Sequence, residues 1–265
     1  MRMGFVGTGR IAEAVVTGLC TAAAPPEQVL VSPRNAAIAQ GLAARFPLVR
    51  VAADNEAVVA GSEVVALSLR PAMAAEILRP LAFRRGQRVL SLMALVPLAE
   101  VRALVEPAEA VRVLPLPTAA RREGPLVLYP AQHWAQEILT PLGELILTET
   151  ETELEALWSA TGLIAAQYEL LRTVTDWLSA RGVASARADR YVRSMFAGIT
   201  AQAAASDAPL AELRAEAQTK GGLNEQALRS LEAAGMLTAL SQALDEIAAR
   251  LAQAHRGPDP GAQAR

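Results

Sequence analysis

The chain has 265 residues, 52% of them hydrophobic, and a net charge of −2 at pH 7. This length allows one large domain or two modest ones, and the near-neutral charge argues against a nucleic-acid or anionic-membrane surface. The single cysteine, Cys20, has no partner for an internal disulfide, so we expect a reducing, cytoplasmic compartment. No apolar run suits a membrane helix, and no His, Cys or carboxylate cluster has the spacing of a metal site.

A glycine-rich turn follows the first apolar segment. The pattern Gly7-x-Gly9-x-x-Ala12 is the dinucleotide-binding fingerprint with alanine at its third position. Gly7 allows a tight turn, Gly9 lets a pyrophosphate approach the backbone, and the next helix directs its N-terminal amides at the phosphates. The alternative is a tight strand-to-helix turn without a ligand. The predicted phosphate-binding residues are Gly7, Thr8, Gly9, Arg10 and Ile11.

Strand and helix patterns alternate as far as residue 150, which predicts a doubly wound parallel α/β sheet of the Rossmann type. The predicted strands are 3–6, 29–32, 49–52, 64–69, 88–92, 110–114, 126–129 and 144–148. The predicted helices are 10–19, 36–45, 55–60, 73–81, 98–105 and 132–142. Residues 1–150 therefore form a predicted nucleotide-binding domain.

The acidic stretch 148–153 marks a change, because only helical patterns follow it. The predicted helices are 153–181, 186–205, 210–218, 223–234 and 237–255. Residues 151–256 therefore form a predicted all-α domain, and residues 257–265, rich in Gly and Pro, a predicted disordered tail. Helix 186–205 is apolar on several faces, so we expect a homodimer or higher homo-oligomer through this half.

The end of the second predicted strand indicates which nucleotide binds. NAD-specific folds usually carry Asp or Glu there, whereas this chain has Ser32-Pro33-Arg34-Asn35. Arg34 offers a guanidinium to a 2′-phosphate and no carboxylate repels it, which favours NADP(H) as the cofactor. The alternative is a surface arginine in a strand-to-helix loop.

A second glycine-rich segment, residues 219–226, leads directly into a helix. Gly221 and Gly222 allow backbone amides to converge on an anion, such as the carboxylate of a small-molecule substrate. Asn224 is placed either to bond that substrate or to cap the helix. Lys220 is the one lysine of the chain, and its compact ammonium suits a role at a site. The alternative is a capping glycine pair beside a solvated lysine.

These motifs resemble the pyrroline-5-carboxylate reductase family over nearly the whole chain. The segment from Gly4 to Ala14 resembles the family's first turn, and Ser32 to Asn35 resembles its NADPH loop. The other resembling segments are Asp54-Asn55 (the family's Asp-Asn pair beside the adenosine ribose), Leu69-Arg70-Pro71 (its Val-Lys-Pro), Val111 to Pro115 (its Val-Arg-Val-Met-Pro), Ser159 to Gly162 (its Ser-Gly-Ser-Gly turn) and Thr219 to Gly222 (its Ser-Pro-Gly-Gly substrate loop).

The resemblance implies a Rossmann domain, an all-α dimerisation domain and NADPH-dependent reduction of a cyclic imine, with 1-pyrroline-5-carboxylate as the leading substrate. It implies that Gly221, Gly222 and Asn224 hold the substrate. Ser32, Arg34 and Asn35 are predicted to bind the cofactor. The resemblance adds four further cofactor-binding residues, Asn55, Leu69, Arg70 and Pro71. The sequence departs from the family pattern at four positions: Leu116, Leu163, Lys220 and Asn224.

Two other functions remain open. A protonated imine carries positive charge and needs no strong enzymic acid, whereas a 3-hydroxyacid-type dehydrogenase needs a proton donor. Lys220 is the candidate acid, so Lys220 and Asn224 are the candidate catalytic residues. The lysine of that second family lies inside a helix, four residues after an Asn, whereas here Asn224 follows Lys220. Leu116 and Leu163 favour the remaining alternative, an NADPH-binding homologue without catalytic activity.

Overall fold

The computed structural model describes residues 1–255, with side chains as far as Gln253. These residues form two compact units. Unit 1 is Met1–Trp158 together with residues 251–255, and unit 2 is Ser159–Arg250. The predicted disordered tail, 257–265, lies outside the described residues. Of the helices in this described part of the chain, none combines the length and apolar character needed to cross a bilayer.

Unit 1 is built on one sheet. Its strands are β1 (Arg2–Val6), β2 (Gln28–Val31), β3 (Val49–Val51), β4 (Val64–Leu67), β5 (Arg88–Ser91), β6 (Glu109–Pro115), β7 (Pro125–Tyr129) and β8 (Glu144–Leu147). Their spatial order is β3-β2-β1-β4-β5-β6-β7-β8. The order reverses between β1 and β4, which is the point where doubly wound sheets bind their ligands. The predicted Rossmann-type α/β class is confirmed.

One pair of strands departs from the predicted parallel sheet. β7 runs antiparallel to β6, with Arg112 opposite Tyr129 and Pro115 opposite Leu126. The connection between these strands contains only a short 3-10 helix, Pro117–Arg121. A parallel neighbour would need a longer crossover, usually an α-helix. β8 returns to a parallel pairing, now with β7.

The helices of unit 1 cover both faces of the sheet. In chain order they are α1 (Arg10–Cys20), α2 (Ala36–Arg45), α3 (Asn55–Gly61), α4 (Pro71–Leu78), α5 (Leu98–Val105), α6 (His133–Leu139) and α7 (Glu151–Ala160). Neighbouring residues of a strand point to opposite faces, and β1 follows this rule. Met3 and Phe5 join one buried apolar cluster, while Val6 joins the other.

Helix α1 contacts the 3-10 helix at backbone distance. A Cβ added to Gly18 would lie 2.2 Å from the Ala119 carbonyl oxygen. Real Cβ atoms are never that close to a backbone oxygen, so glycine is required at this crossing. The contact fixes the helix that follows the glycine-rich turn.

Unit 2 is helical. The helix predicted over 153–181 is two helices, α7 and α8 (Ile164–Ser179), separated by a 3-10 turn, Thr161–Leu163. A Cβ at Gly162 in this turn would lie 2.4 Å from Ile247 Cδ1, the end of a flexible side chain, so a residue other than glycine there would require Ile247 to shift. The other helices agree with prediction within a few residues: α9 (Ser185–Ala204), α10 (Leu210–Glu216), α11 (Leu223–Ala233) and α12 (Met236–His255).

Candidate functional site

The two fingerprint glycines of the β1–α1 turn have different roles. Gly7 has φ +94°, and a Cβ there would lie 2.2 Å from the Ser68 carbonyl oxygen, so only glycine fits beside the end of β4. Gly9 is the N-cap of α1, and no atom lies within 4 Å of the position of its absent Cβ. Gly7 therefore shapes the turn, whereas Gly9 leaves the backbone of the helix terminus open to a ligand.

Thr8 and Ser32 fasten this turn to the end of β2. The Gly7 N–H donates to Ser32 Oγ at 2.9 Å, and the Thr8 hydroxyl donates to the Ser32 carbonyl at 2.7 Å. Ser32 is buried, with 1% of its surface exposed. The structure thus places Ser32, a predicted cofactor-binding residue, beneath the turn, where its hydroxyl group holds the backbone in place.

A pocket of about 370 Å³ opens beside the turn. Seven of the predicted cofactor-binding residues line it: Gly7, Thr8, Gly9, Arg34, Asn35, Leu69 and Arg70. Sequence reasoning missed three further lining residues, namely Ala36, Ser68 and Met73. Arg10, Ile11, Ser32 and Pro71 are not among the lining residues, and Pro71 instead occupies the first turn of α4.

A second pocket, of about 270 Å³, shares Arg34 with the first. Asn55 lines it, as predicted from the Asp-Asn resemblance, together with Pro33, Ala53 and Asp54. Asp54 also caps α3, because its Oδ1 accepts the Ala57 N–H at 2.7 Å. The cap fixes the start of the helix and so places Asn55 at this pocket.

Two guanidinium groups line the larger pocket without a carboxylate partner. Arg34 Nη1 lies 3.3 Å from Met73 Sδ, which is a weak acceptor. Within residues 1–255, neither Arg34 nor Arg70 forms an ion pair. Both charges are therefore free to meet an anion.

The segment 219–225 of unit 2 differs from its prediction. The two glycine amides were expected to be free for a substrate, yet both are engaged within the segment. The Gly221 N–H donates to Glu225 Oε2 at 2.5 Å, and the Gly222 N–H donates to the Thr219 carbonyl at 2.7 Å. The reason is that Glu225 lies on the first turn of α11, within reach of the helix terminus.

The two candidate catalytic residues lie in the same segment. The Asn224 side chain donates through Nδ2 to the Ala217 carbonyl at 2.8 Å and so ties α11 to the end of α10. Lys220 is exposed and has no hydrogen-bond or ion-pair partner among the residues described. It lies in a loop, which differs from the helical lysine of the 3-hydroxyacid dehydrogenases.

Cys20 is a packing residue. Burial raises the pKa of its thiol to about 11, and the charge of Arg45 offsets this only in part. A thiol with such a pKa is almost entirely protonated at neutral pH and is a poor nucleophile. Over the described part of the chain, no three His, Cys, Asp or Glu side chains are grouped to hold a metal.

Comparison with known proteins gives two family matches. Residues 2–95 match the model described as NADP oxidoreductase coenzyme F420-dependent. Residues 151–254 match the model described as pyrroline-5-carboxylate reductase dimerisation. The two matches fall on the sheet-bearing and the helical parts of the chain.

Individual proteins agree over almost the full length. A pyrroline-5-carboxylate reductase of Pseudomonas aeruginosa is 28% identical over 263 residues, which covers 95% of this chain and 96% of the relative. The solved structure of a pyrroline-5-carboxylate reductase from Coxiella burnetii has the same fold, with TM-score 0.83, 20% identity and coverage of 96% and 98%. That of the Plasmodium falciparum reductase with NADP bound has TM-score 0.81, 16% identity and the same coverage. Over almost its full length the chain is therefore similar to pyrroline-5-carboxylate reductases, as its motifs predicted.

Proposed function

We propose that this protein is an NADPH-dependent oxidoreductase that reduces 1-pyrroline-5-carboxylate to proline. The observation that carries the proposal is the pocket beside Gly9, which combines an open helix N-terminus with the unpaired Arg34 and Arg70. The relative from Pseudomonas aeruginosa, named for this activity, supports the choice of substrate because it aligns with 95% of the chain.

The residues of the pocket fit NADPH. The amides in the first turn of α1 lack helical acceptors and suit a pyrophosphate. A Cβ at position 9 would obstruct that pyrophosphate, and glycine leaves the space open. Arg34 suits the 2′-phosphate, Arg70 adds a second positive charge, and Asn55 lines the adjoining pocket for the adenosine ribose. When bound, NADPH supplies the hydride that reduces a carbon–nitrogen double bond.

The chain's own residues then have to bind and orient the substrate. A protonated imine is already an electrophile, so the protein needs little acid–base chemistry and gains rate from positioning. We assign that positioning to the segment 219–225, in which the Gly221 amide and the Asn224 side chain hold the substrate carboxylate. Gly222, whose amide is bonded to the Thr219 carbonyl, closes the turn. Lys220 adds a positive charge that favours the anion.

We further propose a homodimer formed through the helical half. The match to the dimerisation model over residues 151–254 supports it. So does α9, in which Ala188 and Val192 are buried while Ile199 remains 64% exposed. With Tyr191 and Met195, Ile199 forms an exposed apolar stripe at four-residue spacing on α9, and such a stripe is usually covered by a partner. The cytoplasmic location expected from the lone cysteine remains a prediction.

The decisive experiment follows NADPH oxidation with 1-pyrroline-5-carboxylate and identifies proline by chromatography. 3-Hydroxyacids with NADP are assayed in parallel, together with direct measurement of NADPH affinity. Saturable formation of proline supports the proposal. Turnover of a 3-hydroxyacid instead would favour the dehydrogenase alternative, and tight NADPH binding without turnover of either substrate would favour a homologue without catalytic activity.

A further inference from the structure

The N-terminus of α11 holds a carboxylate of the protein itself. Glu225 Oε2 accepts the Gly221 N–H at 2.5 Å, while Glu225 Oε1 lies 3.1 Å from Arg229 Nη2. The Gly221 amide is the one assigned to the substrate carboxylate. An incoming carboxylate and the Glu225 side chain therefore require the same donor.

The position of Glu225 allows it to give up this donor. Its side chain is 30% exposed, so it can turn towards water without opening a buried cavity. Arg229, one helical turn further along, is 74% exposed and can retain the carboxylate after the displacement. If Glu225 stayed in place, its charge would repel a second carboxylate at the same helix terminus.

We propose that Glu225 is a specificity-determining residue that competes with the substrate carboxylate for the Gly221 amide. The inference rests on the proposed function, because that function makes this segment the substrate site. The competition weakens binding of imines that carry a carboxylate and leaves uncarboxylated cyclic imines unaffected. Glu225 thus reduces the preference of this segment for carboxylated over uncarboxylated cyclic imines.

Steady-state kinetics of Glu225→Ala and Glu225→Gln with saturating NADPH test this inference. Glu225→Ala should lower KM for 1-pyrroline-5-carboxylate by about threefold to tenfold, the range expected for an exposed, charge-assisted contact. Glu225→Gln should lower it less, because its side-chain oxygen can still accept the Gly221 N–H although the charge is gone. KM for 1-pyrroline, which lacks the carboxylate, and the affinity for NADPH should not change. Glu232→Ala is the matched control, because it removes an exposed carboxylate from the same helix without touching Gly221.

The results separate this inference from the proposed function. Turnover of 1-pyrroline-5-carboxylate with an unchanged or higher KM in both variants overturns the role of Glu225 and leaves the function standing. An equal drop in KM for both imines also overturns it, because the effect would not depend on the substrate carboxylate.

A readout without turnover covers the case in which neither imine is reduced. The Gly221 amide proton of the free wild-type protein should resonate downfield and follow the ionisation of one carboxyl group. Both features should be lost in Glu225→Ala. If that resonance does not respond to pH in the wild type, Glu225 does not occupy the amide and the inference fails.

Discussion

The guanidinium of Arg112, with no exposed surface, lies 2.5 Å from a carboxylate oxygen of Glu151. The same oxygen accepts the Leu98 N–H at 2.7 Å, so one carboxylate joins β6, the first turn of α5 and the start of α7. Glu155 lies 3.3 Å from Arg112, and the Ala94 carbonyl accepts a further hydrogen bond from Arg112. A buried cation held in this way ties the acidic stretch after β8 to the sheet.

Glu151→Ala should therefore lower the free energy of unfolding by about 1.5–3 kcal/mol, because it leaves a buried guanidinium with one fewer carboxylate and the Leu98 amide without its acceptor. Chemical denaturation followed by circular dichroism measures the change. Glu76→Ala is the control, since Glu76 is exposed on α4 and should stay within about 0.5 kcal/mol of wild type. Equal stabilities of the two variants would show that the buried ion pair adds nothing.

Arg34 should determine the preference for NADPH over NADH. A charged contact to the 2′-phosphate contributes about 1.5–3 kcal/mol, so Arg34→Ala should lose roughly tenfold to a hundredfold in NADPH affinity and little in NADH affinity. Fluorescence titration with both cofactors measures this. Arg50→Ala, an exposed arginine on β3, is the control. A wild type that binds both cofactors equally would contradict the assignment.

Gly9→Ala tests the approach of the pyrophosphate without disturbing the fold. The added methyl group meets no protein atom within 4 Å, so thermal stability should be close to wild type. NADPH affinity should nevertheless fall at least about tenfold if the phosphates lie against this backbone. Gly41→Ala on α2 is equally unobstructed and should leave affinity unchanged. Normal NADPH binding by the Gly9 variant would place the phosphates elsewhere.

Lys220→Ala distinguishes the two catalytic alternatives. If the substrate is an imine, the variant should raise KM modestly and preserve kcat, because the lysine only adds positive charge near the carboxylate. If a carbonyl is reduced and Lys220 is the proton donor, kcat should fall by about two to four decades. Arg214→Ala, which removes an exposed cation from α10, controls for general electrostatics.

The oligomeric state should depend on α9. Sedimentation at micromolar concentration should show a dimer for the wild type, and Ile199→Asp should shift it towards the monomer, because a charge would be buried in the interface. Circular dichroism establishes that the variant remains helical. A folded wild-type monomer at that concentration would rule out the proposed homodimer.

Sequence patterns predicted the nucleotide half well because its signals are local. The spacing of Gly7, Gly9 and Ala12 is visible within a few residues, and β1 follows the burial expected of a central strand. The antiparallel pairing of β7 was missed because it depends on the length of a connection rather than on the strand itself. The short link after Pro115 was the available signal.

The site was harder to predict because its contacts join distant residues. No periodicity indicates that Ser32 holds Gly7 or that Glu151 reaches Arg112. Arg112 did carry a signal, since a charged residue inside an apolar strand needs a partner. The hydrogen bond from the Gly221 amide to Glu225 could also have been predicted from the sequence, because Glu225 lies at the third position of a helix that begins after glycine.

The contact between Gly18 and Ala119 has a consequence for protein engineering. An exchange of the glycine-rich turn with that of another dehydrogenase would transfer strand, turn and helix as one cassette. Here a cassette with any side chain at position 18 would collide with a carbonyl oxygen of the segment that follows β6. Position 18 therefore has to stay glycine in any combinatorial library, because a different side chain at position 119 leaves that carbonyl group in place. A graft of α1 has to include residues 116–124.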